Sequence, residues 1–494
     1  MIETFLNITA PEVLGPWIAS LFFGIFVGGI PGLTATMAVA LIVPLSYYMT
    51  PTAGLAMIIG ASFTSIFAGD IPAIFLRIPG TPASAAALID GYELNKKGEG
   101  SFALTLALLC SGIGGMIGIL ILIFVSGPLA SLALGFTNFE YFWLGVLGLS
   151  MSAVISEGNE LKGMFSVLVG LTIAMIGMDA TTGYPRFAFG IVEMVDGIDF
   201  IPAMIGLFGL SEALKYVNKP KSLDVASVEH KSGLKVKQAL SSIWKFKNTV
   251  LSSALIGTIV GALPGAGADM GAWVTYGITK SRSKDKEKFG KGSEEGVIAP
   301  SSANNSSLGG TWIPALVFGI PGDSITAIVL GAMMMYGLTP GPLIFERNPD
   351  LVNNIFMIAF ITQFLLIIIG FLGIKLYSLV LKLKRNIVMS IVIIFSLIGA
   401  FALNNSIFDM GVVLVLGVIG FFFEKFDIPL PPLILALILG PMIEDNLRIG
   451  LLSSRGSLQP FVFRPASFVL ILLLILTLFG DKIFARFKNI IMEN

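Results

Sequence analysis

Two long stretches without a single charged residue constrain what this chain can fold into. Residues 13–69 contain no Asp, Glu, Lys or Arg, and residues 101–139 are equally free of them. As continuous helices they would extend about 85 Å and about 58 Å, whereas the hydrocarbon core of a membrane is roughly 30 Å thick. Each stretch must therefore fold back within a membrane. With the apolar stretches further along, the sequence predicts roughly ten to thirteen membrane segments.

The composition supports a membrane protein and excludes several other classes. Only 13% of the 494 residues are charged, about half the share that a soluble protein needs, and the mean hydropathy is +0.89. The long apolar runs predict an all-α polytopic integral membrane protein, because a β-barrel would show short alternating segments. The formal net charge is zero, so no nucleic-acid partner is expected. Cys110 is the only cysteine, which excludes an internal disulfide.

The basic residues predict the orientation of the chain. They cluster at 215–247, 280–291, 382–385 and 486–488, whereas the N-terminus carries Glu3 and Glu12. The positive-inside rule places these clusters in the cytoplasm and the N-terminus outside, in a multi-pass protein of the cytoplasmic membrane. Residues 248–279 lie between two basic flanks and contain a Pro-Gly pair at their centre. We interpret them as a re-entrant hairpin; two short complete spans are the alternative.

The two halves of the chain resemble one another. Residues 24–32 match residues 257–265, and residues 71–80 match residues 313–322 in the same order. Each matched segment ends in Pro-Gly. These matches predict two inverted repeats with helices broken at Pro-Gly, and divide the chain into four parts: 1–150, first repeat; 151–247, connecting segments and a basic loop; 248–385, second repeat; and 386–494, C-terminal helices.

Helices broken at corresponding positions of two repeats are the best sequence indication of a transporter's binding site. Proline opens the helix, and glycine lets a ligand approach the backbone. Freed N–H groups suit carboxylates, whereas freed carbonyls and hydroxyl or amide oxygens suit Na⁺, which we expect near Thr34, Ser65 and Asn304. The candidate substrate- and ion-binding residues are Pro31, Gly32, Thr34, Thr36, Ser62, Thr64, Ser65, Arg77, Pro79, Gly80, Thr81, Pro264, Gly265, Gly267, Asn304, Asn305, Pro321, Gly322 and Asp323.

Other interpretations of these residues remain open. Pro-Gly pairs also occur as plain kinks, although four at repeated positions favour a site. The polar run at 304–307 also suits a role in holding helices together. Arg77 is costly within a membrane and is a functional candidate for that reason. It would pair with a substrate carboxylate, with Asp70 or with a lipid headgroup.

Several of these motifs resemble one known family. The chain is similar to the large membrane subunit of the tripartite tricarboxylate transporters at 31–34, 78–84, 90–92, 264–267, 289–292, 303–305 and 320–322. Further matches include Asp179, Arg186, Glu444, Arg448 and Arg464, so the resemblance covers nearly the whole chain. Two departures stand out. The family usually has an acidic residue where this chain has Ser301-Ser302, and a neutral polar residue where it has Arg77.

The resemblance implies a translocating subunit that works with two other proteins. These would be a small four-helix membrane subunit and a periplasmic solute-binding protein that delivers a small di- or tricarboxylate. A cation gradient, Na⁺ or H⁺, would drive uptake, and the chain would not be an enzyme. A stand-alone carboxylate carrier is the nearest alternative, and a channel or scaffold subunit is a more distant one. In this interpretation the tips 31–34 and 264–267 face one another near the middle of the membrane.

Overall fold

A computed structural model describes residues 2–31, 33–155, 160–179, 182–218, 235–380 and 385–492 of the chain. Predicted site residue Gly32 and much of the predicted basic loop, 219–234, lie outside the described residues. The described part is helical almost throughout. Its only strands are β1 (Gly177–Met178) and β2 (Pro185–Arg186), which pair antiparallel. The all-α prediction is therefore confirmed.

The chain divides into two compact units. Unit 1 comprises 1–130 and 201–422. Its helices are α1 (Ile2–Thr9), α2 (Pro11–Gly29), α3 (Ala35–Ser46), α4 (Pro51–Ala68), α5 (Asp70–Leu76), α6 (Ser84–Lys96), α7 (Gly100–Ala133), α10 (Phe200–Met204), α11 (Ser211–Asn218), α12 (Val236–Lys245), α13 (Lys247–Gly261), α14 (Gly267–Arg282), α15 (Glu294–Phe318), α16 (Ser324–Met335), α17 (Ile344–Arg347), α18 (Pro349–Val380), α19 (Arg385–Asn404) and α20 (Ile407–Lys425). A π-helical segment, Ile205–Leu210, joins α10 to α11, and a 3₁₀ turn, Lys286–Lys288, lies between α14 and α15.

Unit 2 comprises 131–200 and 423–494. It contains the β1–β2 pair, a 3₁₀ turn at Val192–Val195, and five helices. These are α8 (Asn138–Ile155), α9 (Glu160–Ala174), α21 (Leu430–Ser453), α22 (Gln459–Phe463) and α23 (Pro465–Met492).

Among the described residues, seven helical segments are long and apolar enough to cross a membrane. They are Pro11–Gly29, Pro51–Leu76, Gly100–Ala133, Pro349–Lys375, Ile387–Asn404, Ile407–Lys425 and Leu430–Ser453. Three shorter apolar helices accompany them: Ala35–Ser46, Ser324–Met335 and Pro465–Leu478. The chain is thus a multi-pass membrane protein.

The internal repeat is visible in the way helices pack in unit 1. In the first half α2 packs along α4, and a methyl group at Gly28 would lie 2.3 Å from the carbonyl oxygen of Ser65. In the second half α13 packs along α15, and a methyl group at Gly261 would lie 2.1 Å from the carbonyl oxygen of Ser307. Both distances are shorter than non-bonded atoms allow. The matched glycines therefore let equivalent helix pairs approach at equivalent points.

The ends of the matched helices also correspond. Helix α15 ends at Gly319, whose φ of 69° is left-handed, as is common where a helix stops. Helix α5 ends at the matching position, Arg77, with a φ of 58°. The N–H groups of Ile78 and Ile320 then reach back to the carbonyls of Pro72 and Pro314, at 3.3 and 3.2 Å. Both repeats thus break this helix in the same way.

The predicted break within 248–279 is present. Helices α13 and α14 contain 15 and 16 residues and are separated by 262–266, which includes the Pro264-Gly265 pair. In the first repeat, α2 and α3 are separated at the matching Pro31. In each repeat, two consecutive helices are therefore interrupted at the matching proline.

One long helix of each repeat also packs across the other repeat. Helix α7 of the first repeat packs on α15, with Gly114 and Gly118 beside the carbonyls of Ser302 and Ser306. Helix α18 of the second repeat packs on α2 and α4, where Gly373 meets Ile25. The two repeats are consequently interlocked around the broken helices.

Candidate functional site

The first tip is closed by a threonine cap. The oxygen Oγ1 of Thr34 accepts a hydrogen bond from the backbone N–H of Met37 at 3.2 Å, which satisfies an otherwise unpaired donor at the start of α3. Pro31 is buried, and Thr34 and Thr36 are half-buried. The threonine oxygens at this tip are therefore close to the break, as the sequence predicted, although Thr34 is already engaged in capping.

The three predicted hydroxyls of α4 are fully buried. Ser62, Thr64 and Ser65 donate to carbonyls of their own helix, at 2.8, 2.8 and 3.1 Å. A hydroxyl that donates one hydrogen bond keeps lone pairs available as an acceptor. These oxygens can therefore face a cation without losing the bonds they make within the helix.

A new helix follows the second break of each repeat. A reciprocal pair of hydrogen bonds stabilises the chain where that helix is approached. In the first repeat, the N–H of Ser84 donates to Oγ1 of Thr81 at 3.2 Å, and the N–H of Thr81 donates to Oγ of Ser84 at 3.1 Å. In the second repeat, the N–H of Thr326 donates to Oδ1 of Asp323 at 2.8 Å, and the N–H of Asp323 donates to Oγ1 of Thr326 at 3.0 Å. The predicted residues Thr81 and Asp323 thus occupy matching positions; Asp323 caps α16, whereas Thr81 stabilises the turn that leads into α6.

The two breaks of the second repeat contact each other. The N–H of Gly265 donates to the carbonyl of Gly322 at 2.8 Å, and a methyl group at Gly267, where φ is 58°, would lie 3.0 Å from Cβ of Asp323. Pro264 is half-buried and Pro321 is buried at this contact. The structure therefore brings six predicted residues of this repeat together.

In the first repeat the corresponding approach is made by Gly80. Its backbone is so close to α2 that a methyl group there would lie 2.8 Å from the carbonyl oxygen of Gly28. Pro79 beside it is exposed. No hydrogen bond between described residues joins the tip at 31–34 to the tip at 264–267, so direct contact between the tips stays a prediction.

The four polar residues at 304–307 of α15 form two pairs that differ in their hydrogen bonding. The Oγ of Ser307 donates to the carbonyl of Gly257 on α13 at 2.9 Å, and Ser306 donates to its own helix at 3.0 Å. Ser307 thereby helps to hold α13 and α15 together. Asn304 and Asn305 are also buried, but Oδ1 of Asn304 and both amide atoms of Asn305 have no hydrogen-bonding partner among the described residues. Such buried polar groups call for an explanation, which a bound ligand would supply.

Arg77 does not pair with Asp70 in the described structure. Its side chain is exposed, and its guanidinium carbon lies 5.5 Å from the ring centroid of Tyr92. Asp70 is fully buried instead, and its Oδ2 accepts a hydrogen bond from Ser301 at 3.4 Å. Of the partners considered for Arg77, a substrate carboxylate and a lipid headgroup remain as predictions.

Asp70 was missed as a site residue, although the sequence carried a signal. It is the only acidic residue in the stretch 13–89. It also lies beside Ser301, one of the two positions at which the resemblance to the family leads us to expect an acidic residue. Sequence order alone does not show that residues 70 and 301 touch, so only the fold reveals the relation.

Asp90 is a second carboxylate that was not predicted as a site residue from the sequence, and it connects the repeats. Its Oδ1 accepts hydrogen bonds from the N–H groups of Gly290, Gly292 and Ser293 at 2.8, 2.9 and 2.7 Å, and its Oδ2 accepts one from the hydroxyl of Tyr276 at 2.9 Å. Asp90 lies on α6 of the first repeat and the loop belongs to the second. The family motifs at 90–92 and 289–292 therefore form one contact.

A further group of matched residues forms an ion cluster in unit 2. The two terminal nitrogens of Arg186 bind Glu444 at 2.6 and 3.1 Å, and Arg448 binds Asp179 at 2.8 Å and Glu444 at 2.7 Å. Arg186 lies outside the helices, and its hydrogen bond with Glu444 raises the pKa of the guanidinium further above its usual range. These residues connect the β1–β2 hairpin to α21.

Among the described residues, no three His, Cys, Asp or Glu side chains come together as ligands for a metal ion. Any cation at the breaks would rely mainly on carbonyl, hydroxyl and amide oxygens, with few carboxylates. Hard monovalent and divalent cations accept such ligands.

A multi-pass helical protein with repeated, paired broken helices and buried polar groups beside them belongs architecturally with membrane transporters. The comparison with known families specifies the class. Residues 14–435 match the model of the Tripartite tricarboxylate transporter TctA family, and the chain belongs to this family. The family comprises the large membrane subunits of tripartite transport systems.

The curated relatives are bacterial proteins that are themselves uncharacterised. The chain is 33% identical over 442 residues to an uncharacterised 52.8 kDa protein in the TAR-I ttuC' 3' region of Agrobacterium vitis, covering 90% of this chain and 88% of that one. It is 34% identical over 209 residues to an uncharacterised protein in the TAR-II ttuC' 3' region of the same organism, covering 42% of this chain and 86% of that one. No solved structure matches the chain.

Proposed function

We propose that this chain is the translocating subunit of a binding-protein-dependent system for secondary active uptake of small di- or tricarboxylates across the cytoplasmic membrane. A cation gradient, Na⁺ or H⁺, drives the uptake. A small four-helix membrane subunit and a periplasmic solute-binding protein complete the system. The N-terminus lies outside and the basic loops lie in the cytoplasm.

The observation that carries this proposal is the contact between the two broken helices of one repeat. The break at 264–267 is hydrogen-bonded to the break at 321–323, and Asn304 and Asn305 of the same repeat have buried polar atoms without partners. Helix breaks expose backbone N–H groups that suit a carboxylate, and backbone carbonyls that suit a cation. One repeat thus supplies both kinds of ligand.

The interlocked repeats support transport by alternating access. Irregular backbone within a membrane is stable only where it is buried in protein or lines a cavity. Gly80, Pro321 and Gly322, at the second break of each repeat, are buried in this way. Movement of the broken helices relative to the long helices α7 and α18 would expose the breaks to one side of the membrane at a time.

The experiment that tests the proposal is uptake of radiolabelled di- and tricarboxylates into liposomes. The liposomes contain this chain with its small membrane subunit and its binding protein, with and without an imposed Na⁺ or pH gradient. We expect uptake that requires both a gradient and the binding protein. Uptake indifferent to the binding protein would instead favour a stand-alone carrier, and non-saturable flux without a gradient would favour a channel.

Two variants locate the site within that assay. Asn304→Ala and Asn305→Ala should lower uptake while leaving expression in the membrane intact, because Oδ1 of Asn304 and both amide atoms of Asn305 have no hydrogen-bonding partner among the described residues. Ser307→Ala serves as the matched control on the same helix, because the Ser307 hydroxyl donates a hydrogen bond to a backbone carbonyl of α13. Normal uptake by both asparagine variants would remove these residues from the site.

A further inference from the structure

Asp70 is a buried carboxylate that the packing of the fold does not explain. It is fully buried, its Oδ1 has no hydrogen-bonding partner among the described residues, and its Oδ2 has only the 3.4 Å contact with Ser301. The matching position of the second repeat holds Trp312, so the repeated architecture does not need an acid there. An ionised carboxylate without a partner costs several kcal/mol to bury. It is retained in a membrane protein where it has a function.

No charged side chain of the neighbouring helices neutralises Asp70. Helix α5 packs on α2, α4 and α6, and Ser301 brings α15 against it. None of the charged residues on these helices forms a described ion pair or hydrogen bond with Asp70. They are Glu12, Asp90, Glu93, Lys96, Glu294 and Glu295.

Four of those charged groups are instead engaged elsewhere. Asp90 binds the backbone at 290–293, Glu93 pairs with Lys96 at 2.7 Å, and Glu295 accepts a hydrogen bond from Ser283 at 2.6 Å. The charge of Asp70 must therefore be balanced by something that is not part of the described chain.

The atoms around Asp70 suit a monovalent cation. Ser301 contributes a hydroxyl oxygen, and Asn304, one turn further along α15, has an Oδ1 that is buried and unpaired. Carboxylate, hydroxyl and amide oxygens are the ligands that hard cations prefer. A proton would neutralise the same carboxylate and would turn one of its oxygens into a hydrogen-bond donor.

We propose that Asp70, with Ser301 and Asn304, binds the cation that drives transport. This inference rests on the proposed function and assigns its coupling site to a residue on α5 of the first repeat facing α15 of the second. The site joins the repeats, so binding of the cation would stabilise one arrangement of the broken helices over another. Substrate then meets a preformed set of breaks only when the cation is bound.

The test measures cation binding by the purified full chain, without substrate or partner proteins. Its thermal unfolding midpoint is recorded in a series of NaCl concentrations against choline chloride, and across a pH series without Na⁺. A ligand that binds the folded state raises the midpoint. A rise with Na⁺ that Asp70→Asn loses identifies Na⁺ as the ligand. A shift with pH alone that Asp70→Asn loses identifies a proton.

Further variants guard against a simple loss of folding. Asp350→Asn makes the same chemical change at an exposed position of unit 1 and should respond as the unaltered chain does. The exchange Asp70→Ser with Ser301→Asp keeps one carboxylate in the same place and should restore the response. If Asp70→Asn does not fold, Ser301→Ala and Asn304→Ala should each raise the half-saturating cation concentration about tenfold, by analogy with the loss of metal-site partners.

Two results would overturn the proposal. One is a cation response that Asp70→Asn, or both Ser301→Ala and Asn304→Ala, leave unchanged. The other is an unaltered chain that responds to neither Na⁺ nor pH. Failure of the carboxylate uptake assay is a separate result, because it contradicts the proposed function while leaving the binding measurement intact.

Discussion

Removing the carboxylate of Asp90 should destabilise the contact between the repeats. Its oxygens accept three backbone hydrogen bonds from the loop 290–293 and one from Tyr276. A hydrogen bond to a charged group contributes about 1.5–3 kcal/mol. Gly290 is exposed and Gly292 half-buried, so water can replace part of what is lost there, whereas Ser293 is buried. We therefore expect Asp90→Ala to lower the free energy of unfolding by about 2–4 kcal/mol.

Two milder variants make the reasoning quantitative. Asp90→Asn keeps an oxygen that can accept the three backbone bonds but removes the charge, which should cost about 1–2 kcal/mol. Tyr276→Phe removes only the fourth bond and should cost about 1 kcal/mol. The structure thus predicts a graded series with Asp90→Ala as the most severe member.

The assay compares the thermal unfolding midpoints of the purified variants. Unfolding is followed as the loss of the monodisperse peak in size-exclusion chromatography after heating. The order of the midpoints carries the prediction. If Asp90→Ala unfolded no earlier than Tyr276→Phe, the three backbone bonds would contribute nothing measurable. The connection between the repeats would then have to lie elsewhere.

The remaining predictions concern packing, strain and charge, and the same unfolding assay checks each of them. Gly261→Ala would bring a methyl group to 2.1 Å from a carbonyl oxygen of α15 and should lower the free energy of unfolding by about 1–3 kcal/mol. Gly277→Ala, at a position with open space around it, should leave that free energy unchanged or raise it. Equal effects of the two variants would contradict this packing argument. Arg77→Gly should raise stability slightly by relieving the left-handed backbone, and reduced uptake by that variant would assign the guanidinium to the substrate. Glu444→Gln should lower stability by about 1–3 kcal/mol because two arginines lose a charged partner, and the loss should shrink when one of them is also replaced.

Much of the architecture could be predicted from the sequence because membranes impose strong local rules. The apolar runs had to become helices, and Pro-Gly pairs had to interrupt them, so the breaks at Pro31 and Pro264 are where they were expected. The two repeats also pack alike, since the matched glycines Gly28 and Gly261 meet matched carbonyls.

The pairing of charged groups could not be predicted in the same way. Asp90 and the loop at 290–293 are about two hundred residues apart in the sequence, and no local pattern states that they meet. The same holds for Arg186 with Glu444. Such contacts depend on the three-dimensional order of the helices, whereas hydrophobic periodicity reports only on one helix at a time.

Ser301 and Ser302 stand where the resemblance to the family leads us to expect an acidic residue. In the fold, another helix supplies a carboxylate beside Ser301. Taken along the chain, Ser301-Ser302 implies that a charge has been lost from α15. In the fold, the hydroxyl of Ser301 donates to Asp70, which lies on a different helix and in the other repeat. A buried carboxylate thus remains beside Ser301, one turn of α15 before Asn304, with the negative charge supplied from the opposite side of the helix contact. Because a cation responds to the position of the charge and not to the helix that carries it, exchange of the two residues should preserve cation binding. Removal of Asp70 alone should abolish it.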